Sequence, residues 1–222
     1  MTPTPTPSGS PATPSRTPDV RRILLVTHGD PAVTAGDLPG LVAAIREHGV
    51  EIALGEHEIA KHPDLADVGA EDGADVDLIL VLGGDGTMLR ALQHSIERPV
   101  ACVGANYGTF GFLTTMRAAE LPERLPDVLG GGLEILDLPT VAVETPEGRF
   151  VAINDVLVTA DQLGRMAVLE WAVNGVELGA RGCDGILVST PAGSTGYNLS
   201  AGGPVIDWGV DAAVVTFVAA DR

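Results

Sequence analysis

The chain is 222 residues long, 45% hydrophobic, and carries 30 acidic against 13 basic residues, for a formal net charge of −17. That length and apolar content suffice for one generous domain or two small ones without cross-links. The acidic balance repels nucleic acid and anionic membranes, so neither partner is expected, and a phosphate-bearing ligand has to be held by a local site.

Residues 1–19, MTPTPTPSGSPATPSRTPD, hold Pro, Thr and Ser with no apolar stretch. They read as a disordered tail and not as a signal peptide. Strand-sized and helix-sized segments then alternate: a strand over 23–27, a helix over 38–48 stopped by Gly49, strands over 50–54 and 78–82, a helix over 88–95 and a strand over 100–103. This alternation predicts a parallel sheet with crossover helices. Beyond about residue 134 the segments are strand-sized and joined by turns: 138–144, 150–160, 165–173, 185–190 and 213–219. Asn174-Gly175 carries the signature of a two-residue hairpin turn. The expected division is a tail over 1–19, an α/β domain over 20–134 and a β-rich domain over 135–222.

Four segments point to chemistry. Gly83-Gly84-Asp85-Gly86-Thr87 follows an apolar strand and opens a helix, the position where α/β folds meet ligands and where unpaired N–H groups receive phosphate. Asp85 reads either as a ligand-facing carboxylate or as a solvated helix cap. Asn106-Tyr107-Gly108-Thr109-Phe110-Gly111-Phe112-Leu113 follows the next strand and forms either a second rim loop or a turn with buried Phe residues. Asn154-Asp155 interrupts the apolar run VAINDVLV, as a bulge or as a pair awaiting a partner. Residues 184–204, DGILVSTPAGSTGYNLSAGGP, concentrate hydroxyls and glycines on a backbone able to bend around a nucleotide. They lack the elbow of a serine hydrolase. The five histidines share no repeated spacing and are assigned neither metal nor catalysis. Cys102 and Cys183 stand far apart, which suggests neither a disulfide framework nor a zinc site and points to a reducing compartment.

In this order the four segments resemble the NAD kinase family, and the C-terminal one is the most specific. GGDGT alone is also similar to diacylglycerol kinases and phosphofructokinase-like enzymes. The resemblance spans roughly residues 21–207. It implies that Asp85 is the general base acting on the ribose 2′-hydroxyl of NAD, with Gly86 beside the nucleotide and Arg90 near phosphate. It further implies that Asn154 and Asp155 hold NAD hydroxyls and that Arg165 contacts ligand. Asp184 and the run Thr195, Gly196, Tyr197, Asn198, Leu199 and Ser200 would wrap the dinucleotide. The implied donor is ATP or inorganic polyphosphate with a divalent metal, usually Mg²⁺, for which no protein ligands are assigned. The implied protein is a cytoplasmic homo-oligomer that binds small-molecule nucleotides.

The implied fold is a Rossmann-like α/β N-terminal domain followed by an all-β sandwich-like domain. Asp155 stands where the family has Glu, and Ala192 and Gly196 where Thr and Ala are common. Family members continue for several strands beyond Gly-Gly-Pro-Val-Ile, so the second domain is expected to be incomplete at the C-terminus. A catalytically impaired dinucleotide-binding homologue and a diacylglycerol-type lipid kinase are the alternatives.

Overall fold

A computed structural model describes residues 15–68, 75–109, 111–160 and 166–219. In chain order its first half contains β1 (Arg22–Thr27), α1 (Leu38–Glu47), β2 (Glu51–Ala53), α2 (Glu56–Lys61), β3 (Leu78–Gly83), α3 (Asp85–Glu97), β4 (Ala101–Asn106), β5 (Met116–Arg117) and α4 (Leu121–Leu129). The five strands form one parallel sheet in the order β2-β1-β3-β4-β5. All six residues of β3, LILVLG, are buried, because a central parallel strand has both faces covered.

The pleat sorts those side chains between two cores. Leu78, Leu80 and Leu82 join Ile23 and Leu25 of β1 against Leu41 and Ile45 of α1 and Leu121, Leu125 and Val128 of α4. Ile79 and Val81 point the other way, onto Met88 and Ala91 of α3. A near-continuous apolar run thus serves two faces, and α3 is fixed directly beneath the loop that precedes it.

The second half contains β6 (Val141–Thr145), β7 (Gly148–Ala152), β8 (Asp155–Thr159), β9 (Ala167–Val173), β10 (Val176–Cys183), β11 (Gly185–Ser189), the short helix α5 (Tyr197–Ser200) and β12 (Val214–Val218). Among the described residues these strands form antiparallel sheets: β6-β7, β9-β10 and β12-β11-β8. Asn174 and Gly175 both have positive φ, 52° and 77°, as the β9-β10 turn requires. Trp171 of β9 meets Phe217 of β12 edge to face, with ring centroids 5.3 Å apart, so the hairpin is layered on the three-stranded sheet.

Two expectations need correction. The run 150–160 is not one strand: it breaks at Ile153 and Asn154, and its halves β7 and β8 enter different sheets. The cause is long-range, because Thr190 donates its hydroxyl to the Ile153 carbonyl at 2.7 Å and its amide to the Asn154 carbonyl at 2.8 Å. The tail reading fails for residues 15–19, and residues 1–14 lie outside the described residues. Arg16 bridges to Glu134, Thr17 is buried, and the amides of Ile135 and Thr17 donate to Ser15 and Leu133. Proline-rich composition disfavours burial on average, yet a few backbone bonds to a neighbouring turn suffice to order five residues.

That turn rests on Gly131 and Gly132, both at φ 75°. A Cβ on Gly131 would overlap the Pro18 backbone, whereas one on Gly132 would meet open space. Gly132→Ala should therefore cost only the left-handed penalty, about 1–2 kcal/mol. Gly131→Ala should cost measurably more in urea unfolding, and equal costs would show that the 15–19 segment does not pack there.

Candidate active site

The carboxyl ends of β1, β3 and β4 lie side by side, and each opens into a loop. Gly83 and Gly84 lead into α3, whose first residue is Asp85. The Asp85 carboxylate reaches across to the loop after β4, its Oδ2 accepting from the Phe112 amide at 3.0 Å and its Oδ1 from the Leu113 amide at 2.9 Å. Asn106 Oδ1 accepts from the Gly108 amide at 2.8 Å, and the Tyr107 amide donates to Gly83 at 3.2 Å. The two Gly-rich loops are thus one backbone-latched unit with Asp85 as its bolt. Gly86 is exposed at the head of α3. Phe112 is 55% exposed, so it is not a buried anchor, and Phe110 lies outside the described residues.

The fourth segment arrives on the same spot from the other half of the chain. Ser189 at the end of β11 and Thr190, Ala192, Gly193 and Ser194 after it are all buried. Their hydroxyls are used to hold their own loop. Thr190 Oγ1 accepts from the Gly193 amide at 3.0 Å, and Ser194 Oγ donates to Pro191 at 2.6 Å while accepting from the Ile206 amide at 2.9 Å. Gly193 passes so close to the Asn154 carbonyl that a Cβ would overlap it, which ties the Asn154 segment to this turn. Ala192 packs in the same apolar cluster as Met88 and Leu113. Leu113 is the residue whose amide Asp85 holds, so the latch and the turn meet there.

Asn154 stands at this junction with its Oδ1 buried and without a hydrogen-bond partner. A buried amide oxygen left unpaired costs about 1–3 kcal/mol, and such a group calls for a donor from a ligand. Asp155 opens β8 opposite Ser189, and burial raises its carboxyl above the ordinary 3.8. Thr195 is half-buried, its hydroxyl turned back to Ala192 at 3.3 Å. Gly196, Tyr197, Leu199 and Ser200 are exposed.

Two expected site residues stand apart. Asn198 is fully buried, its Nδ2 donating to Ser194 and Pro204 at 3.0 and 2.8 Å and its Oδ1 accepting from Thr216 at 2.7 Å. Its side chain braces the loop from within. Asp184 is exposed at the opposite end of β11, and at about 3.3 Å per residue that strand separates it from Thr190 by roughly 20 Å. Arg165 lies outside the described residues.

Arg90 sits one turn into α3 and reaches the end of β1, donating from Nη2 to the Thr27 carbonyl at 2.5 Å, with Glu58 Oε1 at 3.7 Å. Sequence spacing gave no sign of the group it joins. Glu58 is buried in α2; its Oε2 accepts from the Thr27 amide and hydroxyl at 3.1 and 2.6 Å, and Lys61 pairs with it at 2.8 Å. Lys61 also donates to Thr27 Oγ1 at 2.9 Å, and His62 Nε2 lies 2.8 Å from that oxygen. The Thr27 hydroxyl spends its one proton on the carboxylate, so His62 must be the donor and carries its hydrogen on Nε2.

Residues 45–133 match the model of the ATP-NAD kinase N-terminal domain and residues 153–222 that of the C-terminal domain. The NAD kinase of Syntrophotalea carbinolica is 36% identical over 197 residues, covering 85% of this chain and 68% of its own. The chain belongs to the NAD kinase family. The NAD kinase of Symbiobacterium thermophilum is 38% identical over 159 residues, 69% of this chain and 56% of its own. The chain spans between 49% and 68% of the length of the relatives compared.

Among solved structures, an Archaeoglobus fulgidus NAD kinase in complex with ATP superposes with a TM-score of 0.67 at 28% identity, over 90% of this chain and 73% of that one. A yeast NADH kinase complexed with NADH superposes with a TM-score of 0.75 at 18% identity, over 95% and 68%. Both carry the parallel sheet followed by antiparallel strands.

The buried group around Thr27 has a pH signature. Burial, and then the charge of Lys61, push His62 below its ordinary 6.5, while Glu58 opposes them. The unfolded chain therefore takes up the proton first on acidification. The contribution of neutral His62 is complete above the ordinary value and is lost as pH falls through 6.5 toward the lowered one. His62→Gln keeps a donor and cannot titrate, so its urea midpoint should fall less between neutral pH and about pH 5.5 than that of the wild type. Parallel declines would remove His62 from the acid response.

Proposed function

We propose that the chain transfers a phosphoryl group from ATP or inorganic polyphosphate to the 2′-hydroxyl of the adenosine ribose of NAD, giving NADP. The observation that carries this reading is the meeting of the motifs at one point: Asp85 holds the Leu113 amide, and Leu113 packs in one cluster with Ala192 of the STPAGST turn. Family membership supplies the reaction class.

In this reading the 2′-oxygen forms a bond to the terminal phosphorus of the donor as that phosphorus parts from its bridging oxygen in line. The hydroxyl proton passes to Asp85. Each Asp85 oxygen already accepts one backbone bond and retains a further lone pair for the ribose hydroxyl. The N-terminus of α3 faces the phosphates with its N–H groups. Asn154 Oδ1 takes a donor from an NAD hydroxyl, with Asp155 beside it, and Tyr197 lines the exposed side. Asp184 and Arg165 belong to the same assignment through the family resemblance.

The divalent metal of this reading is Mg²⁺. Among the described residues no three His, Cys, Asp or Glu stand together as ligands. In this reading the metal would be carried by the phosphates of the donor. Bound there, it neutralises charge on those phosphates.

We further assign a homo-oligomer, supported by the exposed apolar side chains of the β9-β10 hairpin, Val168, Val173, Val176 and Leu178. A cytoplasmic location fits the two free cysteines, and among the described residues no helix is long and apolar enough to cross a membrane. A lipid-kinase reading rests on GGDGT alone and leaves the C-terminal match over 153–222 unexplained.

The test is a coupled assay of NADP formation from NAD with Mg²⁺ and either ATP or polyphosphate. Asp85→Asn is expected to lower kcat by about a hundredfold or more in a folded preparation. Unchanged turnover would remove Asp85 from the chemistry. A folded wild type that binds NAD without forming NADP would leave a dinucleotide-binding homologue.

A further inference from the structure

The described residues hold one buried ionic group that the proposed reaction does not use: Glu58, Lys61 and His62 of the α2 segment, closed around Thr27 at the end of β1. A buried ion pair is weak evidence of stabilisation, since desolvation offsets much of its attraction, and its position invites a functional reading. We infer that Glu58 is a positioning residue, a buried carboxylate that sets the guanidinium of Arg90 at the rim of the cleft for an anionic phosphate ligand.

The contacts divide the labour. Glu58 is held from three directions, by the Thr27 amide, the Thr27 hydroxyl and Lys61. Lys61 is buried to 8% side-chain exposure, with its ammonium donating to Thr27, His28 and Glu58. It neutralises the carboxylate and is not presented to a ligand. Arg90 keeps 37% of its side chain accessible while Glu58 Oε1 and the Thr27 carbonyl hold its Nη2. Glu58 and Lys61 cancel, and with His62 neutral the group retains the single positive charge of Arg90.

That charge sits where it is needed. Thr27 pairs with Leu82 across β1 and β3, so the anchored end of Arg90 lies beside the strand that delivers Gly83, Gly84 and Asp85. A chain of net charge −17 repels polyanions over most of its surface. A cation whose direction is fixed in advance loses little side-chain entropy when phosphate arrives, and its planar fork matches phosphate oxygens. A solvated arginine at the same position would have to be ordered at that moment.

This inference rests on the phosphotransfer reading, and a double-mutant cycle separates the two. Wild type, Glu58→Gln, Arg90→Ala and the double variant are compared by calorimetry with ATP, NAD and inorganic tripolyphosphate, and by NADP formation with KM and kcat resolved. Glu58→Gln keeps the shape of the side chain and removes the charge that aims Arg90. It should weaken binding of at least one of these probes by about tenfold, raise KM more than it lowers kcat, and add nothing once Arg90 is Ala.

Glu58→Asp, with charge but shorter reach, should restore part of the affinity, which a purely structural role does not require when melting temperatures match. Should Glu58→Gln fail to fold, Thr27→Val, which removes one of the bonds to Glu58 Oε2, substitutes for it in the cycle. Additive losses, or a Glu58 variant that melts earlier yet binds normally, would overturn the positioning role. A wild type that binds none of the three probes would overturn it as well. A wild type that binds ATP or NAD with the expected coupling and makes no NADP would sink the phosphotransfer reading alone.

Discussion

The site depends on one carboxylate. Among the described residues Asp85 is the only side chain that joins the loop after β3 to the loop after β4 through paired backbone bonds, and it does so from the first residue of a helix whose dipole favours negative charge there. Those bonds fix where Leu113 points, Leu113 fixes where Ala192 packs, and Ala192 belongs to the turn that Thr190 and Gly193 lock against Asn154. Two halves of the chain with different architecture therefore meet in an apolar cluster at the cleft, one member of which, Leu113, is held by that carboxylate. A residue proposed to take a proton is also the one that holds the cleft together, so its geometry is set before any ligand binds, which is the condition for positioned acid–base chemistry.

The two faces of the parallel sheet serve different ends. One is closed by α1 and α4 over Leu78, Leu80 and Leu82 and is purely structural. The other carries α3, whose packing through Met88 and Ala91 sets both the head of the helix at Asp85 and the outward reach of Arg90. Burial of a few apolar side chains thus translates into placement of two charges of opposite sign on the rim, one at the loop and one a turn later.

Much of this was legible in the sequence, for local reasons. Apolar runs of strand length alternating with helix-length segments, and glycines following a strand, are encoded within a few residues of each other, so β1, β3, α3 and the Asp85 loop follow from pattern. The Asn174-Gly175 turn is equally local. What pattern cannot carry is the long-range bond. Ile153 and Asn154 look like the middle of one strand until Thr190 takes both their carbonyls, and Ser15 to Asp19 look like tail until residues 131–135 offer partners. His62 shares no spacing with any other histidine, and its place beside Thr27 arises from the meeting of β1 with α2, 35 residues apart.

The same distinction separates the residues of the 189–200 segment. A count of hydroxyls and amides reads the whole run as ligand contacts, but a loop with so many glycines needs internal bonds to hold one shape. Thr190, Ser194 and Asn198 supply those bonds from inside, fully satisfied by backbone partners and Thr216. What remains for a ligand is the exposed backbone around Gly196 and the outward side chains of Tyr197, Leu199 and Ser200. Asn154, itself only partly buried, is the exception, because its side-chain oxygen is enclosed and unanswered. In the proposed reading, recognition at this turn rests on the shape of a braced backbone and one unpaired polar group, and the abundance of hydroxyls in the motif reflects the cost of holding that shape.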